Sequence, residues 1–515
     1  MRRADYRDHM TAAPENGSLP PVTPRTILRA GDVVTRPDWP AGEDVRSVHV
    51  VRIGGAGMSA VARLALESGL TVSGSDSQDG QFIAPLRAAG ARIGIGFDAD
   101  LLDADLDLVV VSTAVRADNP EVLAARERGI PVIHRAAALA GLLSGRGLIA
   151  IAGTHGKTTT TGMAVSALRG AGHDPAWALG AAVPDLGRNA GLGAEPSAPP
   201  STTALAVVEA DESDGSFLAF TPRSLVVTNL EPDHLDFHGD VTHLTAAFDA
   251  LTRQLAPGGT LVVCADDPGA RALGQRAEER GLTVVRYGTG EDARWALRQE
   301  RNGPRGAEIE IDTPSGELTA QLSVTGHHNV LNALGALAAT AAAVPGADLT
   351  ALAAGLGTFT GASRRFDVAG TAGGVTVVDD YAHHPREVAA TIAAARGIVA
   401  AQPQPGRVLV GFQPHLFSRT RDFAVDFAAA LSAADLAWVL PVYAAREDPD
   451  PRVDARTVTD LAAESVEPVA GAEQLVDRVV AAARPDDLLL MLGAGDIVEV
   501  TPGLMAALDS ARGRG

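Results

Sequence analysis

The stretch Ala150-Ile151-Ala152-Gly153-Thr154-His155-Gly156-Lys157-Thr158-Thr159-Thr160-Thr161 constrains this chain more than any other. An apolar run from Gly147 to Ala152 ends in glycines, a lysine and hydroxyls, and helix-compatible residues Met163 to Arg169 follow. That pattern reads as strand, phosphate-binding turn and helix. The glycines let backbone N–H groups converge on an anion, Lys157 brings a mobile cation for the outer phosphates, and Thr158 offers a hydroxyl to Mg²⁺. Ile151 stands where the usual eight-residue phosphate-loop pattern has its first glycine, so the flanking strand and helix carry the reading. They predict a nucleoside triphosphate site lined by Gly153, Thr154, His155, Gly156, Lys157, Thr158 and Thr159.

At about 150 residues per domain, 515 residues suggest three domains. The balance of 43 basic against 63 acidic residues gives a net charge of -20, which excludes a general nucleic-acid-binding surface. Anionic ligands then depend on local glycines, helix N-termini and a few placed cations. The single cysteine, Cys264, sits in an apolar run and rules out an intrachain disulfide framework, which fits a cytoplasmic location. No stretch reaches the roughly 18 apolar residues of a membrane span, and no apolar signal core follows Met1-Arg2-Arg3.

In chain order, residues 1–45 are proline-rich and aperiodic and read as an arm. Residues 46–146 open with Val48-His49-Val50-Val51-Arg52-Ile53-Gly54-Gly55-Ala56-Gly57-Met58-Ser59, a strand entering a glycine turn and a helix, and a second strand ends at Gly74-Ser75-Asp76. Such a β-α-β unit can cradle a diphosphate at the helix N-terminus, with the acid at the second strand receiving a nucleoside hydroxyl. A glycine turn used only for close packing has the same sequence. Arg52 replaces the first glycine of the dinucleotide fingerprint. Either it ends the strand with an ordinary negative φ and faces away, or its guanidinium folds toward the diphosphate.

Residues 147–361 form the second domain, with strands and helices alternating as for a mostly parallel sheet, a mobile surface loop over Gly191–Thr203, and an antiparallel ribbon between Trp295 and Leu322. Residues 362–515 read as a third α/β unit, closing on the turn Gly493-Ala494-Gly495, which serves either packing or a ligand. The fold class is therefore α/β in three domains: a Rossmann-like unit, a central phosphate-loop domain and a C-terminal Rossmann-like unit.

In the middle domain, Glu209-Ala210-Asp211-Glu212-Ser213-Asp214 and Asn229-Leu230-Glu231-Pro232-Asp233-His234 each follow a strand. Both segments fall at the sheet edge that carries the phosphate loop, so Thr158, Glu209 and His234 can converge on a triphosphate and its metal. His234 serves equally well as a hydrogen-bonding residue on its chemistry alone. Together with His328-Asn329-Val330-Leu331-Asn332-Ala333, Asp379-Asp380-Tyr381-Ala382-His383-His384-Pro385 and Gln413-Pro414-His415-Leu416-Phe417-Ser418-Arg419-Thr420-Arg421, these motifs resemble, in order, those of the Mur ligase family. The resemblance spans about residues 48–497.

It implies an enzyme that uses ATP and Mg²⁺ to phosphorylate a carboxylate and then lets an amine displace phosphate. Within the family it is similar to the branch that joins L-alanine to UDP-N-acetylmuramate, as a monomer or homodimer. Many relatives carry a modified lysine shortly after the His234-type motif; Leu235–Leu255 contains no lysine, which fits that branch. By resemblance, Lys157, Glu209, His234, His383 and Arg419 are the catalytic set, and Thr158, Glu209 and His234 hold the metal. Asn329 and Asn332 join the phosphate loop in binding ATP. Gly55, Ala56, Gly57, Met58, Ser59 and Asp76 receive the UDP substrate, and Tyr381, His383, His415 and Arg419 receive L-alanine. His384 and Arg421 stay unassigned.

Overall fold

The computed structural model describes Trp39 and residues 45–512, apart from 117, 194–203, 304–305, 363–365, 403, 405, 445 and 446. Nearly all of the expected arm, and the loop expected up to Thr203 from residue 194 on, lie outside the described residues. The chain divides into a unit ending at Thr360 and a second beginning at Gly361. Three sheets carry the three α/β domains, two in the first unit and one in the second.

The first sheet is all parallel: β1 (Ser47–Val51), β2 (Thr71–Asp76), β3 (Arg92–Ile95), β4 (Leu108–Val111) and β5 (Val132–His134), in the order β3-β2-β1-β4-β5. Helices cover both faces, so β1 and β4 can be near-continuously apolar. The helix Ala56–Glu67 follows β1 directly through the glycine turn. As its sequence indicates, Asn119-Pro120 opens the helix Pro120–Glu127, with the Asn119 carboxamide accepting the Glu121 and Val122 N–H groups and proline at the first helical position.

The second sheet has ten strands: β6 (Gly147–Ala152), β7 (Ala176–Val183), β8 (Arg188–Gly191), β9 (Leu205–Glu209), β10 (Ser224–Val227), β11 (Thr260–Cys264), β12 (Thr283–Gly288), β13 (Trp295–Gly303), β14 (Gly306–Thr313) and β15 (Gly316–Leu322). Their order is β15-β14-β13-β12-β11-β10-β6-β9-β7-β8. The centre is parallel, and β13-β14-β15 make the expected antiparallel ribbon. Because β6 lies between β9 and β10, the chain leaving β6 emerges where the connections part to opposite sides, the position at which open α/β sheets bind ligands.

The third sheet, in the second unit, contains β16 (Asp367–Ala372), β17 (Val375–Asp380), β18 (Val408–Phe412), β19 (Leu436–Val439), β20 (Val466–Pro468) and β21 (Leu488–Leu492). Its order is β16-β17-β21-β18-β19-β20, parallel except for the β16-β17 hairpin.

Candidate active site

The phosphate loop has the shape its glycines allow. Gly153 and Gly156 have φ of 129° and 82°, in the region that favours glycine. A Cβ on Gly153 would collide with the Thr228 hydroxyl, and one on Gly156 would lie 2.5 Å from Asn332 Oδ1. The strand next door braces the loop. Asn229 Oδ1 accepts the His155 N–H at 2.7 Å, the Thr228 hydroxyl donates to the His155 carbonyl at 2.6 Å, and the Thr154 hydroxyl accepts the Glu231 N–H at 3.0 Å. Lys157 opens the helix Lys157–Gly170, and Thr158 and Thr159 follow with buried side chains.

Lys157 Nζ donates to the Gly153 and Thr154 carbonyls at 2.7 and 3.1 Å and lies 2.9 Å from a Glu212 oxygen. Burial works against this ammonium, but Glu212, Asp211 and Glu209 outweigh it and hold its pKa above the ordinary value. Burial leaves the Glu212 carboxyl above the usual carboxylate range despite its cation. Beside them, Thr158 Oγ1 donates to Glu209 Oε2 at 2.9 Å, and the Gly180 N–H of β7 donates to the same oxygen at 2.8 Å.

His234 stands apart from that pair. It takes the left-handed conformation at φ 52°, and its Nε2 lies 3.6 Å from Asp233 and 4.0 Å from Glu212. Among the described residues no hydrogen bond or ion pair joins it to Thr158 or Glu209. Its Nδ1 is buried without a hydrogen-bond partner, and among the described residues Glu209 accepts hydrogen bonds at Oε2 and none at Oε1. A hydroxyl, a carboxylate oxygen and an imidazole nitrogen thus remain as donors that fit a divalent cation at this edge. Asn332 packs against the phosphate loop, and its Nδ2 reaches Asn329 Oδ1 at 3.4 Å, while Asn329 Nδ2 donates to the Thr325 carbonyl.

In the first sheet, Asp76 Oδ2 accepts the Gly54 N–H at 2.8 Å, so one carboxylate oxygen holds the turn itself. Gly55 caps the helix Ala56–Glu67 without a side-chain bond, leaving the amides of its first turn to serve a ligand. The Met58 and Ser59 side chains are buried, so Met58 has only its backbone to offer. Ser59 N–H is taken by the Gly55 carbonyl, and Asn189 of β8 donates to Ala56 O and Ser59 Oγ.

The ordinary negative φ expected at Arg52 is not what the chain adopts: φ is 60°. The backbone must double back here, since the Gly55 N–H donates to the Arg52 carbonyl at 3.1 Å and the Ile53 N–H to Ser75 at 2.9 Å. The exposed Arg52 side chain lies over the Phe97 ring, 5.9 Å from its centroid.

Several residues absent from the expected site belong to this region. Arg135, first in the helix Arg135–Leu142, pairs with Asp211 at 2.6 Å and with Asp214 at 3.7 Å. His134 and Thr113 also reach Asp214. Burial opposes these charges, yet Arg135 outweighs it and holds Asp211 at about 2, and His134 and Arg135 hold Asp214 well below the usual range. The acidic run 209–214 was visible in the sequence; its partners across 76 residues of chain were not.

In the second unit, Tyr381 and His383 follow β17, His415 follows β18, and Arg419 lies buried in the helix Phe417–Asp422. The His383 ring meets those of Tyr381 and His415 edge-on, at 5.1 and 5.7 Å between centroids. Its Nδ1 lies 2.9 Å from the Tyr381 carbonyl, which can only accept, so Nδ1 carries the proton and Nε2 is an acceptor. Burial, with Arg419 and His415 adding to it, pushes the imidazole down to about 3 despite Glu387, so it is neutral near pH 7. Tyr443, which the sequence reading missed, stacks on His415. Gly495 makes room for the Tyr443 ring, so the glycine turn after β21 serves packing. His384 is buried against Phe423, and Arg421 is exposed and paired with Asp422.

Three family models match in order: the Mur ligase family catalytic domain over residues 47–146, the Mur ligase middle domain over 151–340, and the Mur ligase glutamate ligase domain over 364–495. A UDP-N-acetylmuramate–L-alanine ligase of Paenarthrobacter aurescens is 46% identical over 467 residues, 90% of this chain and 98% of that one. Among solved structures, the UDP-N-acetylmuramate-alanine ligase of Thermotoga maritima aligns with a TM-score of 0.74 at 29% identity, covering 90% of this chain and 99% of that one. A murein peptide ligase of Psychrobacter arcticus shares the fold, with a TM-score of 0.67 at 23% identity, over 90% of this chain and 99% of that one. With all three domains matched in order and nearly the whole length of a relative covered at that identity, the chain belongs to the Mur ligase family.

Proposed function

We propose that this chain joins L-alanine to the lactyl carboxylate of UDP-N-acetylmuramate, using ATP and releasing ADP and phosphate, in peptidoglycan precursor synthesis. The observation that carries the reading is the pairing of Lys157 with Glu212 and of Thr158 with Glu209 around a glycine loop, in a chain 46% identical to a ligase of that name. A bare carboxylate is a poor acyl donor, because its charge repels a nucleophile and oxide does not leave. Transfer of the γ-phosphoryl group to a carboxylate oxygen breaks the bond to the β-phosphate and frees ADP. The neutral amine then attacks the acyl carbon, phosphate departs with the bonding pair, and the nitrogen sheds one proton to leave the amide N–H.

In this reading the loop amides and Lys157 hold the outer phosphates and meet the charge that develops during transfer. Thr158, Glu209 and His234 would hold Mg²⁺, which when bound neutralises phosphate charge. Asn329 and Asn332 line the nucleotide, and Gly55, Ala56, Gly57, Met58 and Asp76 the UDP moiety. Ser59 acts there through its packing, since its N–H and hydroxyl are both engaged within the fold. In the second unit, Tyr381, His383, His415 and Arg419 receive L-alanine, with His383 Nε2 accepting a hydrogen bond from the amine.

We further place the reaction in the cytoplasm, where ATP is made; no helix among the described residues is long and apolar enough to cross a membrane. The enzyme acts as a monomer or homodimer. Coupled ADP release with UDP-N-acetylmuramate and each of L-alanine, glycine, L-serine and a muropeptide-type tripeptide tests the assignment. L-alanine should lead, with leakage to glycine because one methyl group discriminates by only about 1–3 kcal/mol. Preference for the tripeptide would instead make the chain a peptide-reattaching ligase, and ADP release without any amine would make it an ATPase.

A further inference from the structure

Two cations stand on one acidic loop. Residues 209–214 leave the carboxyl end of β9, where Glu212 holds Lys157 at 2.9 Å and Asp211 holds Arg135 at 2.6 Å. The proposed chemistry employs Lys157 and leaves Arg135 without a part. Arg135 follows β5 directly, which places it at the carboxyl edge of the first sheet. Its Nη2 makes the nearer contact to both carboxylates, and its Nη1 makes no hydrogen bond among the described residues. That second nitrogen lies 2.5 Å from where a Cβ on Gly57 would be, over the first turn of the helix Ala56–Glu67. Any side chain at position 57 would push the guanidinium away.

We infer that Arg135 is a positioning residue whose Nη1 edge meets the diphosphate of UDP-N-acetylmuramate at the Gly55–Met58 turn while Nη2 stays on Asp211. Filling that turn then orders the 209–214 loop, and through Glu212 and Glu209 sets Lys157 and Thr158 for the triphosphate. The inference rests on the ligase reading above. A guanidinium suits the task because its planar fork presents donors to two anions on different edges, whereas an ammonium offers a single point of charge. The link is built of contiguous contacts: Gly57 to Arg135, Arg135 to Asp211, and one residue on, Glu212 to Lys157.

Calorimetric titration of the full chain tests this. The affinity for a nonhydrolysable ATP analogue is measured with and without saturating UDP-N-acetylmuramate, and UDP alone is titrated in parallel. In the wild type the UDP substrate should tighten the analogue by about five-fold or more, within the usual range of coupling between sites. Arg135→Ala strips the cation from two carboxylates and risks the fold, so Arg135→Lys and Asp211→Asn carry the test. Arg135→Lys should abolish the coupling and weaken UDP and UDP-N-acetylmuramate alike by about ten-fold, the worth of one charge-assisted hydrogen bond. Asp211→Asn should abolish the coupling while leaving UDP affinity unchanged. Wild-type coupling in either variant overturns the inference, as does a loss confined to UDP-N-acetylmuramate with UDP unaffected, which would move the contact to the lactyl carboxylate. An absence of coupling in the wild type overturns it as well. A wild type that does not bind UDP-N-acetylmuramate refutes the ligase reading itself.

Discussion

Lys157 is held by two carbonyls of its own loop and by a buried carboxylate, an arrangement that aims a cation without a ligand to hold it. Lys157→Ala should lower single-turnover ADP formation by about 10²-fold or more, because the charge it meets grows during phosphoryl transfer. The fold should survive, since Glu212, already raised by burial, can take a proton once its partner is gone; turnover near the wild-type rate would remove Lys157 from the phosphate site. At His383 the sign of a pH effect follows from a folded pKa of about 3 against an ordinary 6.5. The unfolded chain accepts a proton below about 6.5 that the folded imidazole refuses until about 3, so the 361–515 unit loses stability as pH falls through that window. Over the same range the neutral ring adds no inflection to kcat/KM for L-alanine. A wild-type acid limb between pH 6 and 7 that vanishes in His383→Ala would show that this ring titrates during turnover. Arg52 carries a third expectation. Its φ of 60° is one that glycine adopts without strain, and its guanidinium covers Phe97. Arg52→Gly should therefore leave UDP-N-acetylmuramate affinity and its salt dependence unchanged in a titration series; weaker binding with a shallower slope would restore a diphosphate contact.

Among the elements, those carrying a complete local signal were legible in the sequence. The phosphate loop announces itself by glycines between an apolar run and a helix, and Asn119-Pro120 by a cap followed by proline. Strands β3, β7, β8, β16 and β20 were not. All but β7 are edge strands: with one side unpaired or half-exposed, Arg92–Ile95 and Asp367–Ala372 lack the apolar run that two-sided burial demands, while β7 is paired on both sides but built largely of alanine and glycine, which carry little strand signal. The Arg135 contact was illegible for another reason, since a pair 76 residues apart leaves no local period to read. Arg52 shows the limit of residue-type reasoning, because the loop's hydrogen bonds impose a conformation its side chain disfavours. One packing contact can be tested at this scale. The helices Lys157–Gly170 and Leu349–Leu356 meet through Gly170 and Gly355, and a Cβ on Gly355 would come within 2.8 Å of the Ala167 Cα and against the Ser166 carbonyl. Gly355→Ala should destabilise the first unit by about 1–3 kcal/mol in denaturant titration, as overpacking at backbone contact does. An unchanged midpoint would mean that the helices separate at no cost.

At the scale of the whole molecule, an enzyme whose proposed substrates are anions has a net charge of -20. The site does not offset that field, because its cations are already matched: Lys157 with Glu212, and Arg135 with Asp211 and Asp214. An approaching nucleotide therefore meets net repulsion until it is within reach of the loop amides. The Debye length falls from about 30 Å at 0.01 M salt to about 10 Å at 0.1 M, so added salt screens the distant acids well before it disturbs short contacts. The association rate of a Mg²⁺-bound nonhydrolysable ATP analogue should rise by about two- to five-fold between 10 and 200 mM monovalent salt, the reverse of electrostatically steered binding. Adenosine, which is uncharged, serves as the control and should associate at a rate insensitive to salt. Stopped-flow traces in which the analogue slows as salt is added would mean that a positive funnel outweighs the global charge. In that case Lys157 and Arg135 would have to exchange their carboxylate partners for the ligand during approach rather than after contact.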